Sequence, residues 1–342
     1  MVPVGDRELA VECSGAAEGG VPVFLLHGTP GSRIGPRPRG IVLERMGVRL
    51  ISYDRPGYGH STRAPGRKVV DACKDVLAIA DHLKIERFCV VGRSGGGPHA
   101  LACAASARDR VVGAAVLVSV APADASGLDW LDGMTDLNAD SYQQVDRLLA
   151  KEGGRGGLLE GLDARALLMA EDPDSLVRFL LPDLAASDRR IVEDPAMREL
   201  LVDTYAEAVR EGSGGWIDDA LALRRPWGFK IADVECPVLL WHGDDDRFSP
   251  AAHTRWLYEQ LRSTRVDLSE VQLRIVKGAA HFAAFETMPD VLNWLAETVR
   301  KAAQTEPPPD AAGTRAGVRA AAGAEAKVGA EAVEAVEAVA AG

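Results

Sequence analysis

The chain has 342 residues, 47% hydrophobic and 26% charged, with a net charge of −11. That composition suits a soluble globular protein with one large domain or a domain carrying an inserted lobe, and the negative balance argues against nucleic acid and membrane surfaces as partners. Five scattered cysteines without a Cys-x-x-Cys pattern read as reduced thiols of a cytoplasmic protein.

The N-terminus has no basic segment followed by an apolar core, so no signal peptide is expected. The longest nearly apolar run, 111–123, is too short to span a bilayer and reads as a buried strand. Strand-like runs recur at 8–13, 23–26, 48–53, 88–91, 112–120, 237–241 and 271–276. Several are continuously apolar, as strands covered on both faces should be. Helical patterns lie between them at 38–46, 69–83, 98–106, 252–261 and 289–302. The alternation predicts a doubly wound α/β fold with a mostly parallel sheet.

The first strand–turn unit of chemical interest is Leu26-His27-Gly28-Thr29-Pro30-Gly31. A turn there can aim the Thr29 amide at a developing oxyanion; the plain reading is a Pro-Gly turn. Pro30 is a candidate for a preceding cis peptide. Next, the strand at 88–91 runs into Gly92-Arg93-Ser94-Gly95-Gly96, with an alanine-rich helical pattern behind it. Gly-x-Ser-x-Gly in a strand–turn–helix context presents a serine on a sharp turn at a helix N-terminus. Ser94 is therefore the candidate nucleophile and the Gly95 amide a second oxyanion donor. By itself the motif is weak, and a glycine-rich turn with an idle serine matches it equally well.

Between Pro122 and Cys236 no strand is predicted. Helix-like segments at 142–151, 164–170, 175–181 and 196–211 are cut by Gly153-Gly154, Pro173, Pro182 and Pro195. Residues 124–230 hold 22 acidic and 12 basic residues, nearly all of the net negative charge. They read as a helical insertion, because the strands on either side need one another. Trp130, Met134, Trp216 and Trp227 are candidates for its pocket lining or for its small core.

After the strand at 237–241 come Asp244, Asp245 and Asp246, at the sheet edge where α/β sites are built. One of them can orient a histidine. After the strand at 271–276 comes His281 among small residues, in reach of a general-base role. His99 competes, but falls on the helix after the serine and points along it; His242 reads as buried or structural. Residues 304–342 are rich in alanine, glycine and glutamate and lack aromatics. They read as a flexible tail with a transient helix near 330–340.

Turn, serine, helical insertion, acid and histidine, each just past a predicted strand end, form an order far more specific than any one piece. These residues resemble the α/β-hydrolase family, in its Ser-His-Asp branch with a helical cap, over residues 5–303. The matching segments are His27-Gly28-Thr29-Pro30, Asp54-Arg55-Pro56-Gly57-Tyr58-Gly59-His60-Ser61, the Ser94 elbow, and Gly278-Ala279-Ala280-His281-Phe282. The resemblance selects Asp246 among the three aspartates, with Gly243 and Pro250 in place and Asp244 as runner-up. It implies an eight-stranded sheet, a core over 1–123 and 231–303, a cap over 124–230, and catalysis by Ser94, Asp246 and His281. Serine at the elbow disfavours epoxide opening and dehalogenation, which use aspartate. Arg93 and Gly95 depart from the Gly-Gly-Ser-Trp-Gly elbow of proline peptidases. The expected activity is hydrolysis of carboxylic ester or related carbonyl bonds of a small neutral molecule through an acyl-enzyme, without cofactor or metal, in a monomer or homodimer. C–C bond hydrolysis, perhydrolase chemistry and a non-catalytic ligand receptor using the same pocket are the alternatives.

Overall fold

In the computed structural model, which describes residues 1–17, 19–150, 158–263, 267 and 270–305, the apolar runs become the strands of one sheet. β3 (Val11–Gly15) pairs antiparallel with β5 (Val48–Tyr53) at one edge. β4 (Val21–Leu26), β5, β6 (Phe88–Arg93), β7 (Val111–Leu117), β8 (Val238–Gly243) and β9 (Val271–Val276) run parallel to one another. The order across the sheet is β3-β5-β4-β6-β7-β8-β9. β7 and β8 are buried at every position, as strands covered on both faces require, whereas β9 is partly exposed at its edge.

Among the described residues the sheet thus has seven strands where the resemblance implies eight. The chain before it forms a separate hairpin of β1 (Val2–Val4) and β2 (Arg7–Leu9). The expected single strand over 8–13 is split at Ala10. There the N–H donates to Ser61 Oγ at 2.9 Å and the carbonyl accepts from the Asp54 amide at 3.0 Å, so the backbone stays satisfied as it changes sheets.

Helices α1 (Gly40–Met46), α2 (Ala72–His82) and α3 (Gly96–Ser106) connect the first strands. α3 is buried along all of Gly96–Ala105; its small side chains let it lie close to β6 and β7. Among the described residues, six α-helices stand between β7 and β8: α4 (Asp136–Ala150), α5 (Leu158–Glu171), α6 (Ser175–Leu180), α7 (Ala186–Glu193), α8 (Pro195–Ala208) and α9 (Gly214–Arg224). No strand occurs there among the described residues. Pro195 opens α8 rather than merely interrupting a helix: it occupies the first position, and Asp194 caps it by accepting from the Met197 amide at 2.9 Å. α10 (Ala251–Ser263) and α11 (Met288–Thr305) complete the chain.

Residues Met1–Val299 form one compact unit. The second, Arg300–Gly342, is described only over 300–305, the end of α11. The tail expected beyond it, with its transient helix, and the break at Gly153-Gly154 lie outside the described residues. No described helix is long and apolar enough to cross a membrane.

Candidate active site

β6 delivers Ser94 directly from its C-terminal end. Ser94 has φ +54°, a left-handed conformation that costs a side-chain-bearing residue about 1–2 kcal/mol. Two backbone bonds hold it: Ser94 N–H to the Leu117 carbonyl at 2.8 Å and Gly97 N–H to the Ser94 carbonyl at 2.9 Å. The flanking glycines are required sterically. A Cβ on Gly96 would meet the Leu26 and His27 carbonyl oxygens, and one on Gly95 would meet Thr29 Oγ1.

The loop after β8 places Asp246, which is buried with Oδ2 2.8 Å from His281 Nδ1. Its Oδ1 accepts from the Phe248 and Ser249 amides at 2.8 and 3.0 Å. Burial alone would raise the Asp246 pKa. The charge of His281 and hydrogen bonds from His242 and His281 outweigh it and hold the carboxyl far below the usual range. His242, fully buried, has Nε2 3.1 Å from Asp246 Oδ2 and Nδ1 2.6 Å from Thr254 Oγ1. Asp244 is exposed and accepts from the Gly278 amide at 2.6 Å, and Asp245 is exposed too. Of the three aspartates, the structure brings only Asp246 to the histidine.

Ser94 and His281 line the same cavity, together with Thr29 and Gly95, and no hydrogen bond joins the two among the described residues. The Thr29–Pro30 peptide is cis. The backbone N–H groups of Thr29 and Gly95 donate to no described residue. His99 is turned away from Ser94: its Nδ1 donates to the Gly95 carbonyl at 2.7 Å, and burial, reinforced by Arg55, lowers its pKa to about 3. That neutral imidazole orients the Gly95 peptide instead of taking a proton.

Two buried carboxylates from the helical segment also reach the site. Asp188 on α7 accepts the His281 amide at 3.0 Å on Oδ2 and the Phe282 amide at 2.7 Å on Oδ1. Asp219 on α9 accepts from Thr29 Oγ1 at 2.7 Å, Tyr58 Oη at 2.8 Å, Arg55 Nη2 at 2.5 Å and Arg67 Nη1 at 2.7 Å. Arg55, itself buried, also donates to the His27 carbonyl and, at 2.9 Å, to the Gly28 carbonyl. The turn that presents Thr29 therefore rests on an interior ion network. Burial would raise the Asp219 pKa, but Arg55 and Arg67 hold it well below its ordinary value. Asp188, Asp219 and the contact of His242 with Asp246 carried no signal in the sequence.

The cavity measures about 210 Å³. The helical segment contributes Tyr142, Arg165, Phe179, Tyr205 and Trp216 to its wall. Of the four residues expected either there or in the core, Trp216 lines it, Trp130 and Trp227 are core residues, and Met134 packs against that core. The activity expected from the sequence is on a small neutral molecule. Among the described residues no Asp or Glu lines the cavity, whereas Arg93 and Arg165 do, so the acids of the described part of the segment do not face the ligand. Among the described residues, no cluster of His, Cys, Asp and Glu is arranged to hold a metal ion.

Sheet order, elbow and the Asp246–His281 pair are those of an α/β hydrolase. The sequence matches the alpha/beta hydrolase fold family over residues 21–287, and the chain belongs to it. It is 29% identical over 245 residues to the dihydrolipoyllysine-residue acetyltransferase component of an acetoin cleaving system from Pseudomonas putida; the match takes in 70% of this chain and 55% of that protein, so the chain spans about half its length. It is 24% identical over 265 residues to a 2-hydroxy-6-oxononadienedioate/2-hydroxy-6-oxononatrienedioate hydrolase from Cupriavidus pinatubonensis, over 72% of this chain and 78% of that one. Among solved structures, an enol-lactonase from Burkholderia xenovorans aligns with TM-score 0.60 and 19% identity over 87% of this chain and 98% of that one, a likeness of fold.

Proposed function

We propose that the chain is a carboxylesterase-like serine hydrolase, cutting an ester or related carbonyl bond of a small molecule, with residues 124–230 as a cap over a core of 1–123 and 231–303. The observation that carries this reading is the His281–Asp246 pair opening on the same cavity as a serine held at φ +54°. His281 takes the Ser94 hydroxyl proton as Oγ attacks the carbonyl carbon. The resulting oxyanion is stabilised by the Thr29 and Gly95 N–H groups, which have no partner among the described residues. His281 then protonates the leaving oxygen and the acyl group remains on Ser94; water, deprotonated by His281, attacks the acyl carbon, and His281 returns the proton to Ser94 Oγ as the acid leaves. Asp246, held ionised, supports the imidazolium formed in each half-reaction.

A fluorophosphonate probe tests the assignment. It should label Ser94 stoichiometrically and abolish ester turnover, and Ser94→Ala should lower that turnover by about 10³-fold or more. Labelling at another residue, or undiminished activity in Ser94→Ala, would sink it. The Cupriavidus relative, named as the hydrolase of an oxo diacid, favours a carbonyl substrate other than an ester as the second reading, so the substrate panel should pair esters and a lactone with a diketone.

A further inference from the structure

We infer that the substrate carries a carboxylate and that Arg93 and Arg165 are its counter-charges in the cavity, an inference that rests on reading this cavity as the catalytic pocket.

The two arginines stand apart from their neighbours. In the helical segment, arginines generally find acids: Arg178 and Arg198 pair with Asp174, Arg210 with Glu207, and Arg224 with Asp146. The guanidinium groups of Arg93 and Arg165 form neither hydrogen bond nor ion pair with any described residue, and both line the cavity. In a chain of net charge −11, partners were abundant. A half-buried cation without one loses part of its solvation and gains no ion pair in return. Burial indeed lowers the Arg93 pKa to about 10, and the more distant Tyr205, Asp188 and Asp246 only partly oppose it. Arg93 remains a cation at neutral pH, and burial lowers Arg165 in the same direction.

Both groups are held by ring faces instead of by acids. Arg93 Cζ lies 4.1 Å from the centre of the Phe285 ring, and Arg165 Cζ lies 3.5 Å from that of Phe179. Stacking engages the flat face of a guanidinium and leaves its edge N–H groups free. That edge matches the two oxygens of a carboxylate. Gly28 makes room for the guanidinium itself beside the oxyanion turn: a Cβ there would lie 3.0 Å from Arg93 Nη2. Much of the remaining wall is hydrocarbon, including Val120, Leu137, Val145 and Leu223, which suits a short apolar spacer between anion and reacting carbonyl. Arg93 precedes Ser94 in the chain, so an anion on it lies near the reacting group, while Arg165 approaches from α5.

Calorimetric titration of the full-length Ser94→Ala chain tests this without turnover. Monomethyl adipate is compared with methyl hexanoate, of the same length but uncharged. The acid ester should bind at least about 10-fold more tightly, and Arg165→Met or Arg93→Met on that background should reduce the preference by about 10-fold. Equal affinity for the two esters, or an unchanged preference in both arginine variants, would overturn the inference. So would propyl phosphate binding more tightly than the acid ester. Hydrolysis of both esters by the native chain is read separately. Turnover without charge preference leaves the serine hydrolase standing and removes the anion site. Arginine-dependent binding without turnover does the reverse.

Discussion

Asp188→Asn probes the link between α7 and the catalytic histidine. The carboxylate is 1% exposed and accepts two backbone N–H groups, those of His281 and Phe282. Burial raises its pKa to about 6, with the charge of His281 opposing and that of Asp246 reinforcing the shift. The folded state therefore binds the Asp188 proton more tightly than the unfolded chain, whose carboxyl has its ordinary value of 3.8. Stability from this group is fully present below that ordinary value and is lost as pH rises through about 6. The limiting difference is about 3 kcal/mol, and about 2 kcal/mol of it develops between pH 4.5 and 8. Asparagine does not titrate, and its single oxygen leaves one of the two buried N–H groups without an acceptor, at about 1–3 kcal/mol. At pH 8 relief of the buried charge offsets much of that loss; at pH 4.5 nothing does. Urea unfolding of both proteins at the two pH values should show the deficit of the variant growing by about 2 kcal/mol on acidification. If the deficit is the same at both pH values to within about 0.5 kcal/mol, Asp188 is not the strained carboxylate described. With the His281 backbone less well held, kcat for an ester should also fall about 10-fold with KM little changed.

Asp219→Ala leaves Arg55 and Arg67 without their shared buried partner, and urea unfolding should show a loss of about 3–5 kcal/mol; a loss below about 1 kcal/mol would mean that the network contributes little. Gly96→Ala drives a methyl against the Leu26 carbonyl, so thermal unfolding should reveal a loss beyond about 3 kcal/mol, well above the loss of about 1 kcal/mol expected for Ala100→Gly. Asp246→Asn should lower kcat by about 10⁴-fold while leaving fluorophosphonate binding geometry intact, as judged by circular dichroism and slow residual labelling. Wild-type Asp246 stays ionised throughout mildly acidic pH, so loss of activity there belongs to another group.

The residues that could be read in advance are those whose roles are tied to local backbone. Ser94 needs a strand end, a helix start and glycines at fixed offsets, and all are consecutive in the chain. His281 and Asp246 follow strands whose apolar runs mark them. α9 is not legible in the sequence because its acids face inward: Asp218 and Asp219 are buried against arginines, which erases the one-sided apolar stripe that announces a helix. α7 is short and opens Ala-Ser-Asp, a composition equally at home in a loop. In a segment holding 22 acidic residues, nothing local separates the two that enter the site from those that remain in solvent. Arg93 occupies the variable position of the elbow motif, where pattern matching has no preference. Its lack of a partner is visible only once the fold has brought every candidate acid elsewhere.

The α7 and α9 carboxylates have a consequence for modularity. Segments between β7 and β8 invite exchange when specificity is to be transplanted between family members, because they enter and leave the sheet at two points only. Here such a graft would withdraw the acceptor of the His281 and Phe282 amides and the counter-ion of Arg55 and Arg67 at once. A working chimera must bring carboxylates to both places, or replace Arg55 and Arg67 together with the segment. The transplantable unit is the segment plus these core arginines.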